Sequence, residues 1–215
     1  MSGNVNKWSN VAVAVQTVIA AAKTLTAITK ANPPVASSTA HGFVNGDPLL
    51  LKLEGMTELD YAVVRAAGVT ADTFQIEGWD STSFGTFVSG TAQKLTLGAQ
   101  CATLQDVNPS GGEAEKLLVR TIHRKQDYNL PGNRAPLEYS FGSLWMPNDS
   151  ALLALNGFDR NGQPCAVSFT FETGDKVFFA MHPSAPLAPS GNAGGLVSTP
   201  VSFSLRGPLS FYAGA

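Results

Sequence analysis

Between Leu137 and Met181 the hydrophobic period switches twice, and that leaves the chain little choice of fold. Tyr139, Phe141 and Trp145 fall on one face of an extended segment that Pro147 ends. A helix signal follows at once, with Asn148 or Asp149 as N-cap, Leu152, Leu153 and Leu155 as the buried stripe, and Asn156-Gly157 as the stop. Cys165, Val167, Phe169 and Phe171 then alternate with Ala166, Ser168, Thr170 and Glu172, the two-residue period of a strand with one face in a core and one in a polar setting. Gly174-Asp175 turns the chain, and Val177 to Met181 returns beside it. The order is strand, helix, strand, turn, strand.

At 215 residues, with 44% hydrophobic and 14% charged side chains, the chain has the material for a substantial core, as one large domain or two small ones. Its 21 glycines and 13 prolines, with many Val, Thr and Ser, favour strands and turns over helices. The formal net charge is -2 and no basic run exceeds Arg124-Lys125, so a surface that grips nucleic-acid phosphates is not expected. Cys101 and Cys165 stand far apart without ligand spacing; the first reading is two buried free thiols, the second a single disulfide in an oxidising compartment.

Met1 to Asn10 has no periodic pattern and carries Trp8, which anchors either on the chain's own core or on a neighbouring subunit. The apolar run Val11 to Ala22 imitates a signal peptide, but Gln16 and Thr17 interrupt it, and Val11, Val13, Val15, Thr17 and Ile19 share one face at period two. A strand is the expectation. The run is too short to cross a bilayer, so no membrane partner and a soluble, cytoplasmic product are expected.

From Thr24 to about Thr96 short strands alternate with turn clusters: Leu25 to Lys30, Pro48 to Leu53, Asp60 to Ala67 and Thr73 to Glu77. Beyond Leu97, Cys101 to Val107 reads as a strand broken by Asn108 to Gly112, Leu117 to His123 as another, and Gln126 to Pro136 as a polar loop around Pro131-Gly132-Asn133. Two flexible segments about one strand are the sequence form of a long projecting hairpin or loop. After the organising stretch, Pro183 to Pro200 is an irregular excursion, and Val201, Phe203 and Leu205 begin a last strand pair closed by Gly207-Pro208. The expected fold is mostly β: a β-sandwich from residues 1–23 and 97–215, with an arm at 1–10 and one short helix, and an inserted small barrel-like module at 24–96. The N-terminal strand is expected to join the sheet of the C-terminal half.

Two resemblances accompany these residues. Ala40-His41-Gly42-Phe43, Asn45-Gly46-Asp47, Gly55-Met56-Thr57-Glu58-Leu59, Thr70-Ala71-Asp72-Thr73-Phe74 and Gly85 to Gly90 resemble the small barrel-like first catalytic cysteine half-domain of ubiquitin-activating enzymes, a module common in bacteriophage virion proteins. That likeness implies no catalytic residue. The order of elements around it, with the ending Val201 to Tyr212, is similar to the tail tube (major tail) protein of long-tailed bacteriophages. This likeness implies a sandwich whose sheet continues through five neighbours into a ring, with hexameric rings stacked as a tube; joining sheet edges through copies also removes the edge problem.

Further expectations follow from the second resemblance. Asn4, Lys7 and Trp8 of the arm and Gly111, Gly112, Glu113, Lys125, Tyr128 and Arg134 of the loop would touch adjacent subunits or the next ring. Glu138, Ser168, Thr170 and Glu172 would face the lumen, the two acids either repelling DNA in passage or simply keeping the surface soluble. Partners would be copies of itself and the terminator, tape measure and distal tail proteins, with DNA passing unbound; the place would be the virion tail, assembled in the host cytoplasm.

No catalytic, cofactor or metal site is expected. His41, His123 and His182 are the only histidines, and none adjoins a nucleophile elbow, a phosphate loop or a ligand cluster. The competing reading is a receptor- or carbohydrate-binding virion module, with Trp79, Phe84 and Phe87 either a sugar platform or module core.

Overall fold

Strand residues dominate the computed structural model, which describes residues 5–214. In chain order the elements are β1 (Ala12–Ile19), β2 (Lys23–Leu25), β3 (Ala27–Ile28), β4 (Val35–Ser37), β5 (Pro48–Glu54), β6 (Val63–Ala67), β7 (Thr73–Ile76), β8 (Ser89–Gln100), β9 (Leu104–Ser110), β10 (Ala114–Val119), β11 (Tyr128–Arg134), β12 (Glu138–Leu144), α1 (Ser150–Arg160), β13 (Cys165–Thr170), β14 (Lys176–Ser184), β15 (Ser198–Leu205) and β16 (Ser210–Tyr212). All pairing among them is antiparallel, and the main path runs β3-β4-β7-β6-β5-β8-β1-β13-β14-β15-β12-β9, with β10 and β11 as a separate pair.

The path folds over at β14, whose first residues pair with β16 and whose last pair with β15. Two layers therefore face each other, and Val13, Val15, Val167, Phe169 and Phe179 of one meet Phe141, Val201 and Phe203 of the other. Tyr139 and Phe141 reach across to the Phe169 ring at centroid distances of 6.0 and 6.3 Å, so this is a mostly-β sandwich with an aromatic centre. As the sequence suggests, β1 joins the sheet of the C-terminal half, with Val13 opposite Phe169 and Val15 opposite Val167.

The helix closes the core with Ala151, Leu152 and Leu155, while Leu153 is exposed. Asp149 is the N-cap, its Oδ1 accepting from the N–H groups of Ala151 and Leu152. The helix passes through the expected Asn156-Gly157 stop and ends at Arg160, with Gly162 at φ +60°. Asn156 is tolerated inside it because its buried side chain donates to the Ala185 carbonyl at 2.7 Å, while Asp159 accepts from the Ala185 N–H at 2.7 Å. The tertiary clamp outweighs the local preference of Asn for a cap.

A second cluster, including Leu49, Leu51, Met56, Leu59, Val64, Phe74 and Ile76, is drawn from the stretch between Leu25 and Ala92. Its motif residues are turn locks: Asp47 accepts from the Val44 N–H, Asp72 from the Ala40 N–H and Glu58 from the Gly85 N–H. A third cluster joins this stretch to the sandwich, where Leu50, Val63 and Leu95 meet Ala166, Phe178, Ala180 and Tyr212. The long strand β8 carries both pairings, with β5 along its first half and with β1 along its second, and runs without a break across residues 96–97.

That third cluster changes the surroundings of β13. The alternation predicts a polar setting for the face that alternates with Val167 and Phe169; Ala166 and Ser168 on it are buried by the chain itself, and Thr170 is partly exposed.

Candidate assembly surface

The surface that this fold leaves uncovered begins where β9 meets β12. These strands pair from Leu104 opposite Ser143 to Ser110 opposite Glu138, and β10 and β11 continue the same two-stranded ribbon outward. Gly111 and Gly112 sit at the joint with φ +79° and +77°, and a Cβ on Gly111 would lie 2.0 Å from the Pro136 carbonyl oxygen. Only glycine fits there. The segment Gln126 to Pro136, expected as a polar loop, is therefore mostly strand β11, because Leu117↔Leu130 and Val119↔Tyr128 give it a ladder that its own composition does not announce.

No residue of β10 or β11 belongs to any of the three cores. Leu117 and Leu118, adjacent and so on opposite faces, are 49% and 53% exposed, and Leu130 is 47% exposed. The face of Leu117, Val119, Tyr128 and Leu130 is apolar, the opposite face sets Leu118 beside Lys116 and Asn129, and a lone two-stranded hairpin is marginal in water. At the far end Arg120 pairs with Asp127 at 2.8 Å, the Arg124 guanidinium stacks over the Tyr128 ring, and a turn from Thr121 to Arg124 presents Ile122 at 96% exposure. Sequence reasoning passed over Ile122, Leu117, Leu118 and Leu130; the apolar doublet Leu117-Leu118 in a strand is the signal that could have found them.

Of the arm residues, Asn4 lies outside the described residues and Lys7 is exposed. Trp8 packs one side of its ring on Phe169 and Phe171, at 5.8 and 5.5 Å, and leaves 59% of its surface open. Asn6 and Thr173 bind each other and the Asp175 carboxylate, which also accepts from the Gly214 N–H. Those contacts hold the Asp175 carboxyl below the usual carboxylate range, the Asn6 bond first among them.

Gly111, Gly112 and Glu113 gather at the ribbon's root with Arg134, whereas Lys125 and Tyr128 sit at its tip. Glu138 and Ser168–Thr170 do not share a face. Glu138 lies on the outside of one layer, bonded by Ser204 Oγ at 2.9 Å, beside Ser140 and Ser202; Ser168 and Thr170 lie on the outside of the opposite layer, and Glu172 on the turn after β13.

The remaining candidates for chemistry are scattered. His41 is buried and stacked on Phe43 at 4.8 Å with its Nδ1 accepting from the Phe43 N–H, His123 is at the ribbon tip, and His182 Nε2 lies 3.0 Å from Arg206. Cys101 and Cys165 are free and buried, and burial pushes the Cys165 thiol up to about 12. Trp79, Phe84 and Phe87 pack against the second cluster. Among the described residues no three metal-ligating side chains cluster, and no helix is long and apolar enough to cross a membrane.

The family model of phage tail tube proteins matches residues 54–214. The chain belongs to the phage tail tube protein family. Comparison with curated proteins gives no match. Membership makes this a structural protein of the virion tail that assembles into a tube with other tail proteins. The matched span begins at the end of β5 and runs through the ribbon and β12 to β16 to Gly214, leaving β1 to β4 outside it.

Proposed function

We propose that this tail tube protein polymerises as stacked hexameric rings and that DNA is delivered to the host through the lumen without specific binding. The observation that carries the reading is the β10–β11 ribbon, with an apolar face at Leu117, Val119, Tyr128 and Leu130, outside every core of its own chain among the described residues. The free edge of β9, which pairs only with β12, adds a second unsatisfied surface that a neighbouring sheet would complete. Arm and ribbon are the inter-subunit elements.

The outer face of β12 and β15 suits the lumen wall, because it is open and polar: Glu138, Ser140, Ser202 and Ser204, with Asn108 in register beside them. Like charge keeps DNA from adhering there. The opposite face at Ser168 is covered by the module, which leaves Thr170 and Glu172 at its rim. Residues 24–96 form an inserted module of the ubiquitin-activating half-domain type, carried on the sandwich of residues 1–23 and 97–215. The role is non-catalytic, assembly takes place in the host cytoplasm, and terminator, tape measure and distal tail proteins are the further partners. Sedimentation velocity over rising protein concentration tests this: ring-sized and then much larger species are expected, and a monomer at every concentration would overturn the proposal.

A further inference from the structure

Ile122 is out of place. The centre of an exposed β-turn ordinarily holds Gly, Pro, Asn, Asp or Ser, yet the Thr121–Arg124 turn puts a β-branched aliphatic side chain there at 96% exposure. The turn is held in shape by the Arg120–Asp127 pair and the Arg124–Tyr128 stack, so the side chain is presented on a formed knob. Arg124 and Lys125 beside it have no carboxylate partner among the described residues.

A matching hole exists at the other end of the same ribbon. Between the arm and the start of β9 lies a cleft of about 490 Å³ lined by Trp8, Val11, Cys101, Leu104 and Val107, and its one charged lining residue is Asp106. Asp106 is exposed and makes no ion pair among the described residues. The chain's own tip is directed away from it: at ~3.3 Å per residue the extended ribbon from Val107 to Ile122 covers up to about 50 Å. Hole at the root and knob at the tip define a head-to-tail contact, the kind that propagates from copy to copy.

We propose that the ribbon tip of one copy seats Ile122 in the Trp8–Leu104–Val107 cleft of the next, with Arg124 or Lys125 reaching Asp106. The occupant is a second copy of this chain, chosen by charge: a cleft of mixed lining, apolar residues beside Asn10 and Gln105, with one unpaired acid, meets an apolar knob flanked by unpaired bases. The assignment rests on the self-assembly reading above and adds which residues meet. The open side of the Trp8 ring, which its own chain leaves bare, then becomes part of the seat.

The test mixes two full-length variants, Gln105→Cys and Ile122→Cys, under mild oxidation, and in parallel follows Ile122→Asp and Asp106→Lys in polymerisation. Disulfide-linked pairs are expected in the mixture and not in the Gln105→Cys protein alone. Ile122→Asp is expected to raise the critical concentration about tenfold or more, as loss of one buried aliphatic side chain implies. Asp106→Lys is expected to weaken assembly, and Lys125→Asp or Arg124→Asp in the same chain to restore part of it. Because Ile122 is almost fully exposed, the folded monomer is unaffected by its replacement. If wild-type protein forms tubes while the mixture fails to cross-link and Ile122→Asp assembles normally, the seat is refuted and the tube reading stands. If the mixture cross-links into pairs but no tube forms, the seat holds and the tube reading falls. If neither is seen, both fall.

Discussion

Replacing residues 111–137 by Asn-Gly joins Ser110 directly to Glu138, opposite one another in the ladder, through a two-residue hairpin turn. The cost to the monomer is small. No buried residue of any core is removed, and the main loss is the Leu137 carbonyl that accepts from the Leu205 N–H at 2.9 Å, worth about 1 kcal/mol. For a chain of this size that corresponds to a fall in Tm of about 2–4 °C. The cost to assembly is much larger. Leu117, Leu118, Leu130 and Ile122 together expose the equivalent of about two and a half side chains, and burying that surface at an interface is worth ~4–7 kcal/mol, roughly a thousandfold or more in critical concentration. Calorimetry read against light scattering of the same samples separates the two effects. A Tm lowered by more than about 10 °C would show the ribbon to be part of the monomer's fold, and unchanged polymerisation would show that it is no interface; either refutes the reasoning.

Other outcomes follow from single contacts. Phe169→Ala, at the meeting of Trp8, Tyr139, Phe141 and Phe179, is expected to cost about 3–5 kcal/mol and to lower Tm by ~6–20 °C in calorimetry. Cys101 and Cys165, both raised by burial, are expected to resist a thiol reagent at neutral pH until denaturant is added; rapid labelling of the native protein would contradict their placement. Asp175 has a lowered folded pKa, so its hold on the arm is complete above the unfolded value near ~3.9 and is lost as pH falls through the folded one. Trp8 fluorescence is therefore expected to be flat from neutrality to about pH 4 and to change below it. Deleting residues 1–10 is expected to stop polymerisation with the fold retained, which circular dichroism and micrographs check together. Glu138→Lys is expected to leave assembly intact and to make assembled protein retain DNA in a co-sedimentation assay; no retention would remove that face from the lumen wall.

How much of this was legible in the sequence depends on which interaction set each residue's place. The alternation from Cys165 to Phe169 and the Asp149 cap are local signals, and both reappear in the structure. The helix stop at Asn156-Gly157 misled because a side-chain bond to Ala185, distant in sequence, holds Asn156 inside the helix. Ser168 looked solvent-facing because small and polar residues alternate with large ones there; it is buried because Leu50, Val63 and Leu95 fold back over Ala166 and Phe178, a contact between segments that no local period encodes. Half of the ribbon reads as loop in the sequence because Pro131-Gly132-Asn133 carries turn composition, while its strand character comes from pairing with β10. The lack of pattern marks arm and loop as contact regions, but the residues most exposed there, Ile122 and the Leu117-Leu118 doublet, lie in a stretch whose sequence reads only as a strand.

The measurement that reaches the central claim most directly is electron microscopy of the purified full-length protein at high concentration. Long filaments with a clear axial hole, built from identical rings, are the predicted result. A field of separate, compact particles the size of one chain, with the β10–β11 ribbon free in solution, would contradict the account.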